Sequence, residues 1–138
     1  MTSEFEIIKK YFSLSEARSD VELAGGDDCA IVSPPQGKQL LITVDTLISG
    51  VHFPVDTCPE DIAYKAIMVN LSDLAAMGAI PAWLTLAITL PEVDDDWLQR
   101  FSRSFSDVLK RFNISLIGGD TTRGDLSITI QAMGLCDN

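Results

Sequence analysis

Aspartate recurs in this sequence where local structure alone does not require it. Gly26-Asp27-Asp28 precedes an apolar run, Thr43-Val44-Asp45-Thr46 closes one, Asn70-Leu71-Ser72-Asp73 sits inside an apolar helical pattern, and Gly119-Asp120-Thr121-Thr122 follows another run. Carboxylates brought together without cations raise one another's pKa, whereas Mg²⁺ takes oxygen ligands and is commonly shared between carboxylates and phosphate oxygens. Convergence of Asp28, Asp45, Asp73 and Asp120 on one acidic patch would therefore imply metal. Taken singly, Asp27, Asp28 and Asp120 also suit the local chemistry of turns and caps. Asp73 suits it least, because it shares a helix face with Ile62, Ala66 and Val69. A carboxylate on such a face needs a cation, a hydrogen-bond network or an interface. Asp94, Asp95 and Asp96 fit a helix N-terminal cluster and carry no chemistry.

Gly118-Gly119-Asp120 would let backbone N–H groups approach phosphate oxygens, since glycine has no Cβ and permits positive φ. His52 could donate to an anionic substrate or hold a proton; as a lone histidine beside Phe53 and Pro54 it equally fits a packed loop. Lys65 and Asn70 face either a site or solvent and helix partners, and Arg123 either neutralises phosphate or is solvated. Gly37-Lys38 lacks the upstream glycine and the following Ser or Thr of a P-loop, and GxGxxG, HExxH, GxSxG and EF-hand patterns are absent. Three widely spaced cysteines and a single histidine support neither a disulfide framework nor a zinc site, and the cysteines read as buried thiols.

The elements that must position these residues follow from periodicity. Ser3-Glu4-Phe5-Glu6 is a capping box, with Phe5, Ile8 and Phe12 at helical spacing behind it. The segment from Ser13 to Gly26 turns polar and glycine-rich. Ala30–Val32 and Leu40–Val44 read as two strands joined in a hairpin through Pro34-Pro35-Gln36-Gly37. A helix starts at Pro59 and stops at Gly78, a strand runs from Trp83 to Leu90, and a second long helix buries Trp97, Phe101, Phe105, Val108 and Phe112. Ile114–Ile117 and Leu126–Met133 are strands divided by a loop over Gly118–Gly124. The 138 residues, 46% hydrophobic and 22% charged, fit one globular domain without repeats or linkers. A net charge of −10 opposes nucleic-acid and anionic-membrane binding and suits metal cations. No apolar run spans a membrane and the N-terminus is acidic, so a cytoplasmic location is expected. The chain stops soon after its last strand, as at a domain boundary.

At these residues the sequence resembles the thiamine-monophosphate kinase family over almost its whole length. The matching stretches are Val21-Glu22-Leu23 with Gly26–Ala30, Asp45-Thr46-Leu47 through His52-Phe53, Ala63–Ala66 with Val69–Ala79, Pro81–Leu86, and Leu116–Gly124. The wider superfamily, with aminoimidazole ribonucleotide synthetase and selenophosphate synthetase, shares the Gly-Asp-Asp and Gly-Gly-Asp elements. The resemblance implies transfer of the γ-phosphoryl group of ATP to thiamine monophosphate, giving thiamine diphosphate and ADP, assisted by several Mg²⁺ ions. It implies metal contacts at Asp28, Thr43, Val44, Asp45, Asp73 and Asp120, ATP contacts at Gly119 and Asp120, and a substrate contact at His52, with no catalytic residue beyond the metal ligands.

It also implies an α+β fold, a mixed sheet of about four to five strands with helices on one face, pairing into a dimeric β-barrel with sites at the subunit junction. Two departures stand out: Ala24-Gly25-Gly26 replaces a frequent Gly-x-Gly, and Val44 offers only its carbonyl where relatives often have a hydroxyl. On this reading residues 1–138 are an N-terminal ATP- and Mg-binding dimerisation domain, the family's C-terminal domain is absent, and the chain by itself is weakly active or inactive. The alternatives are a non-catalytic dimerisation or metal-binding module and another ATP-dependent enzyme of the same superfamily.

Overall fold

Alternation of side chains along long strands builds this protein around one twisted sheet with a helical face and an open face. The computed structural model describes residues 3–13, 18–26 and 28–138. The elements are α1 (Glu4–Tyr11), β1 (Val21–Leu23), β2 (Ile31–Val32), β3 (Lys38–Ile48), α2 (Pro59–Ala76), β4 (Ile80–Leu90), α3 (Asp95–Arg111), β5 (Ser115–Arg123) and β6 (Ser127–Asp137). The main sheet has the order β3-β6-β4-β5, antiparallel except for the parallel β4–β5 pair that α3 connects. It is mixed and open, with β3 and β5 as its edges.

The helix ends follow from local chemistry. Ser3 and Glu6 exchange the two hydrogen bonds of a capping box, Glu6 N–H to Ser3 Oγ at 3.2 Å and Ser3 N–H to Glu6 Oε2 at 2.6 Å. Pro59 opens α2, and Gly78, at φ +74°, stops the chain beyond it in a conformation that side chains resist. Asp94 caps α3 by accepting from Trp97 N–H at 3.1 Å.

The main core lies between the three helices and the inner residues of the sheet, among them Leu84, Leu86, Ile88, Ile128 and Ile130. Phe101 is its aromatic centre: it stacks on Trp97 at 5.0 Å and Phe105 at 5.8 Å and meets Phe12 edge-on at 6.2 Å. A smaller cluster on the other face joins Ala82, Trp83, Ile117 and Leu135 to Val21, Ala24, Ala30 and Val32. There Asp20 accepts from Trp83 Nε1–H at 3.0 Å and from the Arg18 guanidinium, which holds its carboxyl below the ordinary aspartate range.

Three sequence expectations change. Residues 31–32 pair not with β3 but with β1, a strand in the stretch that reads as polar and glycine-rich, so the expected hairpin is replaced by a separate two-stranded sheet. Its apolar side chains are needed to cover Trp83, a long-range demand that local pattern does not carry. The expected loop over Gly118–Gly124 is strand as far as Arg123, because β4 supplies pairing partners along its length. The 80s strand begins at Ile80, ahead of Trp83.

Phe101→Ala is expected to cost ~3–5 kcal/mol of stability in a urea titration, as for other fully buried aromatics. A loss below ~1 kcal/mol would remove Phe101 from the centre of the core.

Candidate functional site

One row of paired residues crosses the sheet: Asp45 on β3 lies beside Ile130, Ile130 beside Leu86, and Leu86 beside Gly119. The candidate residues gather at the two ends of this row. At the β3 end, Asp45 projects toward the helices with Thr43 and Leu47, and Asp73 on α2 meets it within hydrogen-bonding reach. Burial raises the Asp45 carboxyl above its ordinary value of 3.8, the Asp73 charge raises it further, and His52 partly opposes both. His52 sits in the loop after β3, where its Nδ1 accepts from Ile48 N–H at 2.9 Å. The neutral ring therefore carries its proton on Nε2. Lys65 donates to the His52 carbonyl and ties that loop to α2. Asn70, one turn before Asp73, is wholly buried; it donates to Ala66 O at 3.0 Å while its Oδ1 has no partner among the described residues.

At the β5 end, a cavity of about 370 Å³ opens beside the edge strand. Asp28, Gly119 and Asp120 line its polar part, with Gly25 and Gly26 beside them. Phe5, Ile8 and Phe12 of α1 and Leu86 and Ile88 of β4 form its apolar part. A bulge lies between the Leu84–Leu116 and Thr85–Gly118 pairs, and a β-bulge re-aims the residues beyond it. Gly119 is obligatory: a Cβ there would stand 1.9 Å from the Leu86 carbonyl oxygen. Thr121 N–H, on the same edge, reaches Glu4 Oε1 at 3.5 Å.

The four aspartates thus stand as two groups, and the single acidic patch expected from the sequence does not form within one chain. Asp45 meets Asp73, and Asp28 shares a cavity with Asp120; three strand spacings of ~4.8 Å separate the two ends of the row by about 14 Å. Among the described residues, no three His, Cys, Asp or Glu side chains form a group able to hold one metal ion. Val44 turns its side chain to the open face and Arg123 is exposed at the end of β5. Asp27 lies outside the described residues. Sequence reasoning missed the α1 wall of the cavity. Its signal was present, since Phe5, Ile8 and Phe12 share one stripe while Ile7 and Tyr11 form another, and the structure buries the second pair.

Residues 26–136 match the family described as AIR synthase related protein, N-terminal domain. The chain belongs to this family. It is 54% identical to the thiamine-monophosphate kinase of Haemophilus influenzae over 135 residues, which are 97% of this chain and 41% of that protein. This AIR synthase related domain therefore spans about two fifths of that relative. Its fold is similar to the crystal structure of thiamine-monophosphate kinase from Stenotrophomonas maltophilia K279a, with a TM-score of 0.82 and 50% identity over 95% of this chain and 40% of that one. It is also similar to the structure of AaThiL complexed with AMPPCP and TMP, with a TM-score of 0.71 and 30% identity over 96% of this chain and 41% of that one. No described helix is long and apolar enough to cross a membrane.

Asp45 gives a measurable signature. Its raised carboxyl keeps a proton to higher pH in the folded than in the unfolded chain, so its contribution to stability is full below 3.8 and is lost as pH rises through the folded value. Without divalent cations, Asp45→Asn is expected to melt above the parent chain at neutral pH, the gap closing as pH falls below 3.8. A gap independent of pH in thermal melts would contradict the assignment.

Proposed function

We propose that this domain binds ATP with Mg²⁺ and forms the acidic half of an enzyme that transfers the γ-phosphoryl group of ATP to thiamine monophosphate, yielding thiamine diphosphate and ADP. The observation that carries the reading is the cavity beside β5, where a glycine-rich edge and the carboxylates of Asp28, Asp120 and Glu4 meet an apolar wall, as a metal-bound molecule with a phosphate end and a flat base end requires. The names of the relatives at 54% and 50% identity support the same activity.

The donor set fits Mg²⁺. Asp28, Asp45, Asp73 and Asp120 offer only hard oxygen atoms, and the repulsion felt by Asp45 is what a divalent cation would relieve. Thr43 and the Val44 carbonyl complete the set that the resemblance implies. When bound, the metal neutralises phosphate charge during an in-line transfer. The chain's own residues would position the reactants: Gly119 brings backbone close to the nucleotide phosphates, Asp120 would hold them through the metal, and His52, its Nδ1 engaged by Ile48, would present Nε2–H to the substrate phosphate.

Assembly belongs to the same proposal. β3 is an edge strand whose outward residues Leu40, Ile42, Val44 and Ile48 are 40–58% exposed, a liability that pairing with a second copy removes. Closure of two such sheets gives a dimeric β-barrel, and it would let the Asp45–Asp73 group of one copy and the cavity of the other meet at a subunit junction. The cysteines are not the buried thiols expected from the sequence: Cys29 is exposed and Cys58 and Cys136 are partly exposed, and such free thiols suit a reducing cytoplasm.

In the full-length enzyme, Asp73→Asn is expected to lower turnover of thiamine monophosphate about a hundredfold, and His52→Ala to raise KM for thiamine monophosphate more than KM for ATP. Unchanged turnover in Asp73→Asn would refute the metal role. For assembly, sedimentation should report a dimer and Ile42→Asp a monomer; a parent chain that stays monomeric at high concentration would contradict the barrel.

A further inference from the structure

Helix α1 carries more apolar surface than its docking uses. Ile7 and Tyr11, one turn apart, are buried at 3% and 9% exposure and hold the helix to the body. Tyr11 OH and Lys10 both engage Asp95 at the start of α3, and the capping box fixes the first turn. Phe5, Ile8 and Phe12 fall on a second stripe that lines the cavity. Phe12 is already committed to Phe101 and Phe105, with ring centroids at 6.2 Å from each. Phe5 has no aromatic partner among the described residues and is 81% exposed, although its helix is anchored at both ends. A large ring carried to a cavity rim by an anchored helix, with its face open, is a platform for another flat ring.

We propose that Phe5 is the stacking platform for the adenine ring of the nucleotide, so that α1 sets the base end of the site while Gly119, Asp120 and Asp28 take the phosphate end. This rests on the ATP reading given above. The cavity volume of about 370 Å³ lies within the range of small-molecule sites. The buried Leu86 and Ile88 give the base an apolar floor. Alanine substitution of a stacked aromatic typically weakens binding by roughly five- to 150-fold per base, and inorganic triphosphate, which has no base, gains nothing from the ring.

The test is calorimetric titration of the full-length protein with ATP and with inorganic tripolyphosphate, both in Mg²⁺, for the parent and for Phe5→Ala, Phe5→Leu and Phe5→Trp. Phe5→Ala should weaken ATP at least about tenfold and leave tripolyphosphate within about twofold. Phe5→Leu, which keeps apolar bulk without a π face, should not restore the loss. Phe5→Trp should restore it, and its added indole emission should be quenched by ATP and not by tripolyphosphate. Equal weakening of both ligands, no weakening of ATP, or full rescue by leucine would each overturn the stacking role. Failure of the parent itself to bind ATP would instead overturn the ATP reading, and the stacking role with it.

Discussion

Asp45 and Asp73 meet where β3 passes under α2, and the packing that holds these two carboxylates together shapes the acidic end of the domain. Asp45 projects from an edge strand under α2 and meets Asp73, so part of its charge is taken out of water beside a like charge. The unfolded chain would keep them apart. The folded chain holds them together because β3 is locked to β6 over eleven paired positions and α2 is locked to the sheet by Ile62, Ala66 and Ile67. The contact raises the Asp45 carboxyl, and under the proposed function a divalent cation would relieve it and offset the net charge of −10 toward a phosphorylated ligand.

The opposite edge solves a different problem. Here the backbone itself must come close, and Gly119 is the residue that allows it: any side chain would collide with the Leu86 carbonyl. The bulge beside Ile117 redirects the strand, α1 roofs the apolar half of the cavity, and Asp28 and Asp120 line the polar half. Because Asp45, Ile130, Leu86 and Gly119 occupy one row, packing of the sheet core fixes the spacing between the acidic corner and the cavity. Ile130, inside that row, is buried and carries no chemistry, yet it sets the distance between the groups that do.

Helices were the most legible part of the sequence. The Ser3 capping box, the start of α2 at Pro59, its stop at Gly78 and the Asp94 cap of α3 are local chemistry and read directly from residue types. Strand partnership was not legible, because it depends on which distant surface needs cover: Val32 pairs with Val21 and packs toward Trp83 rather than continuing into β3. The Gly118–Gly124 segment read as a loop because glycine ordinarily weakens strands, whereas here glycine lets β5 lie against β4. For the site, Asp73 stood out as a carboxylate on an apolar helix face, whereas the structure leaves it exposed, where it meets Asp45. The wall formed by Phe5 escaped notice because an apolar residue at helical spacing reads as core, and only the structure reveals that Ile7 and Tyr11 fill that role.

The proposed function turns on Mg²⁺ reconciling the negative charge of this domain with that of ATP. A calorimetric titration of ATP into the protein, with Mg²⁺ and then with the metal removed by chelator, tests it most directly. Saturable binding that disappears with the metal, and that weakens in parallel when Asp120 is replaced by Asn, is the predicted result. Binding of equal strength without Mg²⁺ would contradict the account, since the carboxylates would then be bystanders to a site that works on backbone and apolar contacts alone.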